Sequence, residues 1–173
     1  MVENRRDRRV VVSLHRVQDT LSAVFPAFVP HLALRNPHLM TVASALLPRR
    51  WPDAGQADGV ARRFQVAPGN QVLARCHWQA TPTAAPTLLM LHGLSGSASS
   101  NYMVGLGGKA FAAGFNVLRL NMRNCGDTED LAESLYHAGL SSDVEVILDA
   151  LAAEGHPSVY LVGFSMGGNV ALR

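Results

Sequence analysis

Three short, largely apolar runs mark the second half of the chain, at residues 87–91, 116–120 and 158–162. Runs of this length without polar alternation are typical of strands that are buried on both faces of a sheet. Two segments with helical character, residues 102–113 and 141–153, separate them, and Ser141 or Ser142 is the predicted cap of the second. The order strand, helix, strand, helix, strand predicts right-handed crossovers and a parallel α/β sheet.

The first half of the chain has a different pattern. Apolar residues at helical spacing predict an amphipathic helix over residues 10–24, which ends before Pro26. Several prolines break the next stretch, in which residues 38–47 form one short predicted helix. Residues 64–66 and 72–78 flank a Pro-Gly-Asn turn and are predicted to pair as a hairpin.

Composition and charge narrow the class of protein. A chain of 173 residues that is 48% hydrophobic predicts one domain with a substantial core. The formal net charge of +2 is too small to suggest binding to nucleic acid. Five arginines crowd the amino terminus, which favours a solvated arm and leaves open contact with an anionic partner. They are Arg5, Arg6, Arg8, Arg9 and Arg16.

Cysteine spacing and hydropathy give expectations about compartment and cofactors. Cys76 and Cys125 are far apart and lie in no Cys-x-x-Cys or Cys/His ligand pattern, so the sequence predicts neither a disulfide framework nor a metal site. Cys125 is interpreted as a small buried filler. No stretch approaches eighteen apolar residues, so no membrane span is expected. A cytoplasmic protein without cofactors is the prediction.

The strongest candidate for chemistry is Gly163-Phe-Ser165-Met-Gly167, which stands where a predicted strand turns directly into a helix. Ser165 at the apex of such a turn needs a strained backbone, and glycines at the flanking positions relieve crowding. The N–H of Met166 then faces the reacting centre from the first helical turn. Ser165 is therefore the candidate nucleophile.

A second loop is expected to complete an oxyanion hole with Met166. It follows the first apolar strand and reads His92-Gly93-Leu94. Glycine lets the backbone approach a substrate carbonyl, so the N–H of Leu94, or that of Gly93, is the predicted second donor. His92 has two interpretations, a structural one in which it hydrogen-bonds the loop backbone and one in which it is a substitute base.

With these residues the chain resembles the α/β-hydrolase superfamily, and it is most similar to the YheT-like branch of esterases. The resemblance covers about residues 26–173. Its motifs are 34–39 (Leu-Arg-Asn-Pro-His-Leu) with Thr41, 92–94, Tyr102, 121–126 (Asn-Met-Arg-Asn-Cys-Gly), Tyr136-His137 with Gly139 and Asp143, and 163–169. Asn124 departs from the glycine that many relatives carry. His137 and Asp143 suggest a polar network that braces the loop after the predicted strand 116–120, although His137 is also interpreted as a surface histidine.

The resemblance implies an eight-stranded, mostly parallel sheet and a triad in chain order serine, acid, histidine. No carboxylate or imidazole follows Ser165 here. We therefore expect a basic helical arm at 1–25 and an incomplete α/β-hydrolase domain at 26–173, with residues 158–162 as an uncovered sheet edge.

The expected function is serine-dependent hydrolysis of carboxylic esters of short or medium acyl chains, a small-molecule substrate. Without the acid and base of the triad, the fragment is expected to be inactive. A non-catalytic binding or regulatory fragment and an acyltransferase are the alternatives. The sequence leaves the oligomeric state open.

Overall fold

A computed structural model describes residues 28–51 and 58–173. Contacts divide the chain into two compact units, Met1–Leu46 and Leu47–Arg173, which are described separately. The predicted helix at residues 10–24 and the arm at 1–25 lie outside the described residues.

The described part of the first unit contains a 3-10 turn, Leu32–Leu34, and helix α1, Pro37–Leu46. Proline at the first helical position has the backbone angle a helix requires and lacks only an N–H that would be unpaired anyway. Asn36 caps the helix, because its Oδ1 accepts hydrogen bonds from the N–H groups of His38 at 2.9 Å and Leu39 at 3.3 Å. The helix predicted at 38–47 is thus confirmed, one residue earlier.

The described part of the second unit is built on a five-stranded mixed sheet. Its strands are β1 Val60–Ala67, β2 Asn70–His77, β3 Thr87–Leu91, β4 Asn116–Asn121 and β5 Val159–Gly163, in the spatial order β1-β2-β4-β3-β5. β1 and β2 form the predicted hairpin, and β2 pairs antiparallel with β4. β3 pairs in parallel with β4 and with β5. The parallel α/β arrangement predicted for β3, β4 and β5 is confirmed.

Helices cover both faces of this sheet. They are α2 Asn101–Ala112, α3 Ser141–Ala153 and α4 Met166–Ala171. Every residue of β3 and β4 is buried, and successive side chains enter opposite cores. Leu89 and Leu91 join one cluster with Ile147 of α3, whereas Leu88 and Met90 join the other. Because both faces of these strands are covered, their sequences read as apolar runs without alternation.

The predicted cap of α3 is wrong. Ser141 is the first helical residue and Leu140 occupies the cap position, with no side-chain cap bond. The amide of Leu140 donates to the carbonyl of His137 at 3.2 Å, which closes a turn immediately before the helix. This turn starts the helix at Ser141 itself, so neither Ser141 nor Ser142 can be the half-helical flanking residue that a cap requires.

β5 is the last strand of the described sheet. Its residues are only partly buried, and the Tyr160 side chain is 54% exposed. The strand thus presents one unpaired edge within the described residues, as the sequence predicts for residues 158–162.

Candidate active site

Ser165 occupies the sharp turn between β5 and α4. Its backbone angles are φ 51° and ψ −115°, a conformation that residues with a side chain rarely adopt. Such an outlier costs of order 1–3 kcal/mol and persists only where surrounding contacts enforce it. The Ser165 side chain is exposed. The turn therefore presents the hydroxyl-bearing residue at the end of the sheet.

Two flanking glycines make this turn sterically possible. A Cβ on Gly163 would overlap the carbonyl of Gly167. A Cβ on Gly167 would lie 2.5 Å from the carbonyl oxygen of His92 and 2.6 Å from that of Leu91. No real side chain survives at these separations, so the close approach of the helix to the strand requires glycine at both positions.

The first turn of α4 leaves a donor beside Ser165. Met166 is the first helical residue, and Ser165 makes no side-chain cap bond. The N–H groups of Gly167 and Gly168 already donate to Phe164 and Ser165 carbonyls, at 2.9 and 3.0 Å. Among the hydrogen bonds of the described residues, none uses the Met166 N–H.

The His92 loop lies directly against this turn. A Cβ on Gly93 would lie 3.3 Å from both the Ser165 Cβ and the Phe164 carbonyl oxygen. The Gly93 N–H donates to the Tyr102 hydroxyl at 3.0 Å. Of the two donors that the sequence leaves open, Gly93 is thus already engaged, whereas the described residues offer the Leu94 N–H no acceptor. Leu94 is 70% exposed.

His92 is completely buried, and backbone groups use both of its ring nitrogens. The Met122 N–H donates to Nε2 at 3.2 Å, so the neutral ring carries its proton on Nδ1, which donates to the Gly93 carbonyl at 2.7 Å. Burial lowers the pKa of His92. This geometry fits the structural interpretation and leaves neither ring nitrogen to take a proton from Ser165.

The His92 contact also orients a peptide group. The Gly93 carbonyl accepts from His92 Nδ1 and, at 3.0 Å, from the Gly96 N–H. This carbonyl and the Leu94 N–H belong to the same planar, trans peptide unit and point in opposite directions. Fixing the oxygen therefore fixes the direction of the Leu94 N–H.

A buried ion pair braces the loop after β4. Arg123 Nε donates to Asp143 Oδ2 at 2.7 Å and Nη2 to Oδ1 at 2.5 Å, and both side chains are 8% exposed. Arg123 also donates to the Ser134 hydroxyl, which in turn donates to Asn70 Oδ1. The predicted network through Asp143 exists, but the partner of Asp143 is Arg123.

His137, which the sequence suggests as a member of this network, makes no hydrogen bond to Asp143 or Arg123 among the described residues. His137 Nδ1 instead accepts from the Gly139 N–H at 3.1 Å. Sequence reasoning missed the Arg123–Asp143 pair because the two residues lie on different elements. The signal that could have found it is an arginine directly after a buried strand, with a carboxylate in the first turn of the next helix.

Asn124 fits its place without glycine. Its φ is 56°, in the left-handed region where asparagine is the most tolerated residue after glycine. The side-chain amide donates to the carbonyls of Glu129 at 3.1 Å and Ala132 at 2.7 Å. The departure noted in the sequence therefore keeps the turn and adds two hydrogen bonds across the loop.

Both cysteines are free and buried. Burial raises the pKa of Cys76 to about 12 and also raises that of Cys125. Within residues 28–51 and 58–173, no group of three or more His, Cys, Asp or Glu side chains could hold a metal ion. No described helix is long and apolar enough to cross a membrane.

Comparison with known proteins shows the family to which this chain belongs. Residues 86–173 match the family described as alpha/beta hydrolase fold, which is just over half of the chain. The chain therefore belongs to the α/β-hydrolase fold family, and the resemblance drawn from the sequence motifs is confirmed.

Among curated proteins, the chain is similar to "Putative esterase YheT" of Escherichia coli (strain K12), with 32% identity over 148 residues. The match covers 83% of this chain but 42% of YheT. "Embryogenesis-associated protein EMB8" of Picea glauca is 27% identical over 93 residues, which is 53% of this chain and 20% of EMB8. The chain thus spans less than half the length of the curated relatives it matches.

Solved structures agree on the fold. Est1E from Butyrivibrio proteoclasticus, determined with bound ferulic acid, has a TM-score of 0.57 at 18% identity and covers 65% of this chain and 45% of its own. XC6422 from Xanthomonas campestris, described as a serine hydrolase without a lid, has a TM-score of 0.53 at 26% identity over 67% of this chain and 55% of its own.

Proposed function

We propose that this chain is the part of a serine-dependent carboxylic ester hydrolase that carries the nucleophile, Ser165. The proposal rests above all on one observation: Ser165 is exposed, has a strained backbone and packs against Gly93 of the His92 loop. The similarity of the chain to a protein named as a putative esterase supports the same reaction class. We also propose that residues 26–173 form the hydrolase domain. We propose a cytoplasmic location, because two buried free thiols are typical of a reducing compartment.

In the proposed reaction, Ser165 Oγ attacks the ester carbonyl carbon while a base takes the hydroxyl proton. The negative charge that develops on the carbonyl oxygen is stabilised by the N–H groups of Leu94 and Met166. Loss of one such donor costs roughly a hundred- to a thousandfold in rate in related sites. Collapse of the tetrahedral intermediate expels the alcohol, which takes the proton from the protonated base, and water then releases the acyl group.

The base and its orienting acid are proposed to come from outside residues 1–173. His92 lacks a free ring nitrogen, so it is a poor candidate for the base. By itself the chain is therefore proposed to be almost inactive, since a serine hydroxyl needs an adjacent base to become nucleophilic. Leu94, Tyr102 and the half-buried Phe164 give the surroundings of Ser165 an apolar character, which suits esters of short or medium acyl chains.

Labelling by a fluorophosphonate probe tests the proposal. We define the complemented protein as residues 1–173 joined to the part of Escherichia coli YheT that lies carboxyl-terminal to the matched residues; the match itself covers 42% of YheT. We expect labelling of the complemented protein, loss of it in Ser165→Ala, and at most trace labelling of residues 1–173. Labelling that survives Ser165→Ala would exclude Ser165 as the nucleophile. Strong labelling of residues 1–173 would exclude the need for an outside base.

A further inference from the structure

The His92 loop contains a tight turn whose backbone donors can be counted one by one. The Gly96 N–H donates to the Gly93 carbonyl at 3.0 Å, and Ser95 has φ 56°. A positive φ at the third residue of such a turn is the signature of type II, normally provided by glycine or asparagine. Serine pays a conformational penalty there, so contacts outside the turn must hold it.

Two tyrosine hydroxyls supply those contacts. The Tyr102 hydroxyl accepts from the Gly93 N–H at 3.0 Å, and the Tyr136 hydroxyl accepts from the Ser95 N–H, also at 3.0 Å. With the Gly96 N–H used inside the turn, Leu94 has the one N–H of residues 93–96 for which the described residues provide no acceptor. The two tyrosines therefore bind the amides on either side of the proposed oxyanion donor.

Each tyrosine belongs to a segment outside the His92 loop. Tyr102 lies in the first turn of α2, and its ring packs against Phe164, the neighbour of Ser165, with centroids 4.6 Å apart. A Cβ on Gly96 would lie 2.5 Å from the Tyr102 hydroxyl, so glycine there leaves room for it. Tyr136 lies in the loop after β4, and its ring and that of His92 form an edge-type contact with centroids 6.3 Å apart.

We propose that Tyr102 and Tyr136 are positioning residues that clamp the His92 loop and aim the Leu94 N–H at the reacting carbonyl oxygen. The proposal rests on the proposed hydrolase function for its catalytic consequence. Its geometric part stands on the two hydrogen bonds alone. Because Tyr102 contacts both the loop and Phe164, it also couples the position of the oxyanion donor to that of the nucleophile.

Amide hydrogen exchange on residues 1–173, read by NMR, tests the clamp without any activity. In the unaltered chain we expect slow exchange for Gly93 and Ser95 and fast exchange for Leu94. Tyr102→Phe should accelerate Gly93, and Tyr136→Phe should accelerate Ser95, each at least tenfold. The chain has three tyrosines, and Tyr160→Phe, on the exposed edge of β5, is the matched control that should change neither. Unchanged exchange of Gly93 and Ser95 in their own variants overturns the clamp.

Ester hydrolysis by the complemented protein tests the consequence. Both Tyr→Phe variants at positions 102 and 136 should lower kcat about ten- to a hundredfold, with KM within threefold, because the misaimed donor acts on the transition state. Thermal unfolding should separate this from lost folding, since a merely structural role would lower Tm and leave kcat per folded molecule unchanged. That pattern overturns the positioning role. If the unaltered complemented protein hydrolyses no ester, the proposed function fails, whereas the exchange experiment still decides the clamp.

Discussion

Replacing Asp143 by asparagine removes one partner of a buried ion pair and leaves the other in place. Asp143 and Arg123 are each 8% exposed and share two hydrogen bonds. After the substitution, the Arg123 guanidinium would keep the Ser134 hydroxyl and one neutral amide oxygen as acceptors, but no negative charge would face it. An uncompensated buried charge typically costs about 3–5 kcal/mol. We therefore expect the free energy of unfolding to fall by about that amount.

The chain provides a matched control for this prediction. Arg62 and Glu154 form an equally bidentate pair, but their side chains are 27% and 44% exposed. Solvent screens such a pair, so Glu154→Gln should cost no more than about 1 kcal/mol. Urea unfolding of residues 1–173, followed by circular dichroism, measures both variants. Equal costs for the two substitutions would refute the reasoning that burial decides the value of the pair.

Two further predictions concern the Ser165 turn and a buried histidine. Gly167→Ala should lower the unfolding midpoint by several degrees, since its Cβ would meet the His92 carbonyl at 2.5 Å; Gly114→Ala, which meets nothing within 4 Å, is the control for backbone strain alone. Burial, aided by the nearby Arg119, lowers the pKa of His77 from 6.5 to about 4. Between pH 6.5 and 4, His77 is protonated in the unfolded chain but neutral in the folded one. The free energy of unfolding should therefore fall as the pH is lowered through this range, by up to about 3 kcal/mol. Urea midpoints at pH 7 and 4.5 measure this loss, and His77→Phe, which keeps a ring to stack on Trp51, should lose less; an equal loss in that variant assigns the effect to other groups.

The hydrophobic pattern of the sequence was sufficient to predict the strands of the parallel part of the sheet. Strand β3 begins and ends at the predicted residues. β4 ends one residue later than predicted, and β5 begins and ends one residue later. Every residue of β3 and β4 is buried between the two cores, so an apolar run without alternation marks these strands in the sequence. The hairpin strands are longer than predicted, because β1 has one exposed face and its polar residues hide the pairing. The cap of α3 failed because a turn from the preceding loop sets its start.

The sequence alone determined the fold family and the glycine-flanked Ser165 turn, because both depend on local spacing and on residues whose neighbours in the chain are their neighbours in space. The tertiary structure decided which amide of the His92 loop stays unpaired, which residue pairs with Asp143 and how His92 is protonated. Each of these depends on a partner from another element: Tyr102 for Gly93, Arg123 for Asp143 and Met122 for His92. Hydrogen bonds and ion pairs act over about 3 Å, so their partners are fixed only when the strands and loops are brought together.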